Sequence, residues 1–207
     1  IHLIPLFQLV VGSVITMPEA LPLRKLAILL REPCDKIRMM LKNLTSVLVV
    51  PEDDDSELSL FHLSFRDYLV DPNRCKDRDL LIDEKEANEK LFHRCMAILH
   101  EKGNLRRNIC NIQHPGIAAI EVSQETINEH LPLEVRYACW YWGAHSNSGG
   151  PLQPEKAAQL LVFLKEHFTH WLEALSLTGL MRLASPTMTE LKTRVAVSTV
   201  PASPCMY

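Results

Sequence analysis

The sequence predicts a mainly α-helical protein with one small β-hairpin, and three observations lead there. Apolar residues recur at the i, i+3, i+4, i+7 spacing of amphipathic helices through most of the 207 residues. A β-branched run, Val47-Leu48-Val49-Val50, is separated by an acidic turn from Leu58, Leu60 and His62, which alternate onto one face. Helix-stopping residues, Pro33, Pro72, Gly103 and the Gly149-Gly150-Pro151 run, fall between these segments.

Taken in order, Leu3 to Met17 is an apolar stretch broken by Pro5, Gln8 and Ser13, without a basic leader. That makes a poor signal peptide and a short membrane span, so residues 1–19 are expected to form a buried linker helix at the cut end of a longer protein. Leu23, Leu26, Ala27 and Leu30 mark one helix, and Ile37, Met40, Leu41 and Leu44 a second, with Pro33 closing the first and Asp35 offered as N-cap of the second. Two helices followed by a hairpin is the layout of a winged helix, expected over 20–75 with the hairpin as its wing. Ser64 with Asp67 offers a capping box for the next helix, which Asp71-Pro72 ends.

Beyond a charged connector, Asp83 and Glu86 offer another capping box, and Ala87, Leu91, Cys95 and Ile98 line a helix that Gly103 ends. Val135, Ala138, Cys139 and Trp142, then Ala157, Leu160, Leu161 and Leu164, then Phe168 to Leu177, supply three further helical patterns. Residues 76–178 are therefore expected to form an α-helical bundle. Ser146 to Pro154 reads as a loop, and periodicity fades from Gly179, so 179–207 is expected to be a poorly ordered tail.

At 47% hydrophobic and 23% charged the chain should fold as a soluble globule. A net charge of -3 gives no footprint for nucleic acid or an anionic membrane, and neither is expected as a partner. Six cysteines without a CxxC pair suit reduced thiols and a cytoplasmic location.

The chemistry-bearing signals are few. No Gly-Lys dipeptide occurs, so the phosphate-cradling GxxxxGK[ST] loop is missing from this sequence, and the chain is not expected to hydrolyse ATP alone or to hold a cofactor in isolation. No catalytic constellation is found. Cys110 with His114, and Cys95 with His100, match no zinc template, so no metal ligands are assigned. A cysteine nucleophile served by His145 or His93 lacks a recognisable context. Glu52 to Asp55 lacks the glycine and spacing of a calcium loop and reads as a solvated turn. Tyr137, Trp140, Tyr141 and Trp142 crowd one helix at core spacing. Lys36, Arg38 and Lys42 on the second helix leave a winged-helix nucleic-acid binder as the alternative reading. His62, at a strand end beside a helix start, is the one candidate ligand-binding residue, because an imidazole held there can donate to a phosphate oxygen.

Phe61-His62-Leu63-Ser64-Phe65-Arg66-Asp67-Tyr68-Leu69 resembles the Met-His-Asp motif that closes the winged-helix domain of STAND-class NTPases, the NACHT and NB-ARC switch proteins. The resemblance extends from about Phe7 to Leu177. It runs through Pro22-Leu23 to Leu44-Thr45-Ser46-Val47-Leu48, Asn108-Ile109-Cys110, Leu131-Pro132, Arg136-Tyr137-Ala138-Cys139-Trp140-Tyr141-Trp142 and His170-Trp171-Leu172-Glu173-Ala174-Leu175-Ser176-Leu177. These look like the region after the NACHT domain in filamentous-fungal proteins of the vegetative-incompatibility type.

The resemblance implies an autoinhibitory, nucleotide-sensing module that folds over ADP held by a NACHT NTPase domain in cis, with exchange for ATP releasing the protein to oligomerise. It gives His62 the contact to the ADP β-phosphate, and Arg66 and Asp67 the bracing of its helix. Leu63 stands where the plant motif has Asp. The family places a P-loop domain before this region and often WD40 or ankyrin repeats after it, neither of which the sequence contains. A truncated gene model, an aberrant splice or a genuine short product is therefore expected.

Overall fold

The computed structural model describes residues 3–114, 117–147 and 152–199. The protein is mainly helical, with nine α-helices and one two-stranded sheet among the described residues. It forms two compact units, Ile1–Ile98 and Leu99–Tyr207. Among the described residues no helix is long and apolar enough to cross a membrane.

In the first unit, α1 (Leu3–Thr16) buries Leu6, Val10, Val11 and Ile15. α2 (Leu23–Leu30) buries every apolar residue of its expected seam. Arg31 ends it in the left-handed region at φ 55°, where its N–H reaches the Ile28 carbonyl at 3.1 Å. α3 (Cys34–Leu41) buries Ile37, Met40 and Leu41. Pro33, not Asp35, holds its cap position, with no side-chain cap bond. The helix starts earlier than expected, so Asp35 lies in the first turn, where its charge favours the helix dipole.

β1 (Leu48–Val49) and β2 (Ser59–Leu60) pair antiparallel, with Leu48 opposite Leu60. The acidic turn between them is fastened as well as solvated. Arg38 donates to the Pro51 carbonyl at 2.6 Å and pairs with Asp54, and Arg24 Nε donates to Asp55 at 2.9 Å.

α4 (Leu63–Val70) follows, then α5 (Glu84–Leu99), capped by Asp83, whose carboxylate accepts from the Lys85 and Glu86 amides at 2.8 and 3.3 Å. The order helix, helix, hairpin, helix is as expected, and the first compact unit runs on through the connector and most of α5 to Ile98. The connector and α5 belong with the first unit because the Ile82 N–H bonds the Leu69 carbonyl at 2.9 Å and Gly12 of α1 faces Ala87 and Ile82.

The second unit contains α6 (Gln124–His130), α7 (Leu133–Ser146), α8 (Pro154–Leu177) and α9 (Ala184–Thr199). Val135, Ala138, Cys139 and Trp142 are buried as expected. The two patterns at 157–164 and 168–177 are one continuous helix, and its buried seam is Leu160, Phe163, Trp171, Ala174 and Leu175, leaving Leu161 53% exposed. Glu173 of α8 ties down the chain before α6, accepting from the Asn108 and Ile109 amides at 3.1 and 2.7 Å.

The core centres on Trp142, Trp171 and Phe163. Trp142 meets Trp171 edge to face at 5.4 Å, and Trp171 Nε1 donates to the Cys139 carbonyl at 2.8 Å. Tyr137 and His145, both buried on α7, share a hydrogen bond of 2.8 Å.

The tail expected to lack order contains α9; residues 200–207 of that tail, and the glycine run of the expected loop, lie outside the described residues. α9 has weak apolar periodicity; it buries Leu191, and the buried Arg194 guanidinium donates to the Ser146 carbonyl at 2.6 Å and to Asn147 Oδ1 at 3.2 Å. A close approach accompanies it. A Cβ on Gly143 would meet Thr187 Cγ2 at 2.6 Å, so Gly143→Ala should destabilise the unit by roughly 1–3 kcal/mol. Pairing it with Thr187→Ser, which removes that methyl, should recover part of the loss in urea titrations; no recovery would put the strain elsewhere.

Candidate functional site

His62 lies beyond the end of β2, with φ -146° and ψ 135°, and is itself the N-cap of α4. Ser64, expected as the cap, is instead the second residue of the helix; its backbone N–H donates to His62 Nδ1 at 3.0 Å, and its Oγ lies 2.8 Å from the same nitrogen. The shift arises because the imidazole reaches the free amides of the first turn from a strand-like backbone, as an Asn or Asp side chain would.

That bond sets the tautomer. A backbone N–H only donates, so Nδ1 accepts, and the neutral ring carries its proton on Nε2. Among the described residues no other hydrogen bond reaches the ring. His62 is exposed, between Phe61 at 71% and Leu63 at 70% exposure. The result is one N–H donor on an apolar, solvent-facing corner.

α4 is held behind that corner by Arg66, whose Nε donates to the Ile15 carbonyl at 3.3 Å and whose Nη2 pairs with Glu84. Asp67 lies 4.0 Å from Arg66 Nη1 and is mostly exposed. Arg66 thus braces the helix, while Asp67 adds an exposed ion pair worth little.

The other sequence candidates do not converge. Cys110 is buried and His114 exposed. Cys139 is fully buried, and burial pushes its thiol up to about 12, far from a reactive thiolate. His145 is engaged with the Tyr137 hydroxyl. Among the described residues, Cys34, Cys75, Cys95, Cys110 and Cys139 form no disulfide. Of the three basic candidates, Arg38 on α3 is tied to the acidic turn and Lys36 on α3 pairs with Glu32 at 2.6 Å, which leaves Lys42, just past the end of α3, exposed. Tyr137 and Trp142 are core, and Trp140 bonds Thr178 Oγ1 at 3.1 Å.

Glu166, His167 and His170 do not stand out in the sequence. Two histidines three apart on a helix share one face, and that spacing is the signal that could have found them. Burial, then the neighbouring His100 and His170, lower the pKa of His167, with Glu166 opposing.

No family model, no curated protein and no solved structure matches this chain.

Proposed function

We propose that this chain is the regulatory, non-catalytic region of a NACHT-type signal-transduction NTPase, a winged-helix domain and a helical bundle, with His62 sensing the β-phosphate of ADP bound to the NTPase domain. The observation that carries the reading is the corner at His62. The Ser64 amide fixes the ring with an Nε2–H donor outward, on a helix braced from behind by Arg66. Phe61 and Leu63 give that corner the apolar flanks a docked domain would cover. In this reading ADP keeps the protein closed, ATP releases it to oligomerise in the cytoplasm, and the chain by itself turns over no nucleotide.

The test separates the cap from the sensor. His62→Asn keeps a side-chain oxygen for the Ser64 amide but removes the ring donor, whereas His62→Ala loses both and costs about 1 kcal/mol of helix stability. In the chain joined to a NACHT NTPase domain, both variants should speed ADP release roughly tenfold, the loss of one hydrogen bond to a charged phosphate. An unchanged ADP off-rate in both would remove the sensor role, and ATP hydrolysis above background by the purified chain would overturn the non-catalytic reading.

A further inference from the structure

Away from His62, the second unit gathers three imidazoles and a carboxylate. His100, in the turn after α5, Glu166 and His167 each bring a ligand atom to within 4.8 Å of the other two. Glu166 and His167 are neighbours on α8, and His170 follows one turn on, its ring centroid 5.8 Å from that of His167. The His100 and His167 rings stand nearly perpendicular at 5.4 Å, and Phe163 packs beside both, at 6.0 and 6.1 Å. Nδ1 of His167 and Nδ1 of His170 are both buried with no hydrogen-bond partner among the described residues.

A buried ring nitrogen without a partner is costly, and the other nitrogen of the His167 ring, Nε2, lies 3.9 Å from Glu166 Oε2. One ring nitrogen each from His100 and His167, gathered with a Glu166 carboxylate oxygen, make the donor set of a borderline transition metal. Magnesium and calcium prefer oxygen donors throughout, so the nitrogen-rich set excludes them. We infer that His100, His167 and Glu166 form a binding site for a divalent transition metal of the zinc class, flanked by His170 and walled by Phe163. Ligand atoms around tetrahedral zinc stand about 3.3 Å apart, against the 4.8 Å within which these three lie, so the set has to close by little more than 1 Å on binding. Glu166 is 60% exposed, so the metal has an open approach and keeps at least one position for water. Bound there, it would join the turn at His100 to α8.

The site can be read with Co²⁺ as a spectroscopic probe on the full chain, stripped of metal by chelation. One equivalent should bind saturably with a visible d–d band and no thiolate charge-transfer band, which excludes the cysteines as ligands. Zn²⁺ should displace it and raise the melting temperature. His100→Ala and Glu166→Gln should each weaken binding at least about tenfold, while His93→Ala, an exposed histidine elsewhere on α5, should leave it unchanged. Glu166→Gln alters only an exposed side chain, so its metal affinity remains measurable even if His100→Ala misfolds. Absence of a saturable equivalent, a thiolate band, or undiminished affinity in Glu166→Gln would overturn the site.

Discussion

Trp171→Ala should cost roughly 3–5 kcal/mol and leave the Leu99–Tyr207 unit close to unfolding at room temperature. Two losses combine. The side chain is 1% exposed and contacts Trp142 and Phe168, so truncation opens a cavity that rigid α7 and α8 cannot close. Its indole N–H also satisfies the buried Cys139 carbonyl, which would be left without that donor. Trp171→Phe separates the terms: it keeps most of the volume and loses the hydrogen bond, and should cost about 1–2 kcal/mol. Denaturant titration followed by far-UV circular dichroism would measure both. Equal effects of Ala and Phe would mean that the hydrogen bond, not the packing, dominates.

Acid should weaken the same unit through His145. Burial, and secondarily the charge of Lys156, lower the His145 pKa to about 4, below its ordinary value of about 6.5. The unfolded chain therefore binds a proton that the folded chain refuses between those values, and stability falls as pH drops. His145 contributes fully above about pH 6.5, and its contribution is lost progressively down to about pH 4. At about 1.4 kcal/mol per pH unit the loss reaches about 3 kcal/mol. His145→Gln removes the titrating group while keeping a hydrogen-bond partner for the Tyr137 hydroxyl, so its stability should vary less between about pH 7 and about pH 4.5. Parallel pH profiles for the two proteins would assign the acid sensitivity to other groups.

Local periodicity is a good guide where one face of a helix is buried against its neighbours. The seams of α2, α3 and α7 can be read directly, as can the hairpin and the Asp83 cap. Where burial depends on distant partners, periodicity misleads. Leu161 and Phe163 both fit helical patterns, and only the packing around Trp142 decides that Phe163 faces inward. α9 is hard to read for a related reason: it is seated by a single buried leucine, Leu191, together with one buried arginine and a glycine contact, too little to leave a clear apolar stripe in the sequence. At the candidate site, the position of His62 beside a helix start is legible. Its capping bond is not, since Ser64 is a better N-cap by composition and only the backbone shows which residue holds that place. The histidine cluster requires His100 and α8 to meet across more than sixty residues of chain, a contact that no local pattern encodes.

Arg66 gives the first unit a mechanical property. Its guanidinium bonds a carbonyl in the last turn of α1 and a carboxylate in the first turn of α5, so three helix ends converge on one side chain. A rotation of α4 would break both bonds or drag both neighbours along. Arg66 thereby ties the corner at His62 to the two longest helices of the unit.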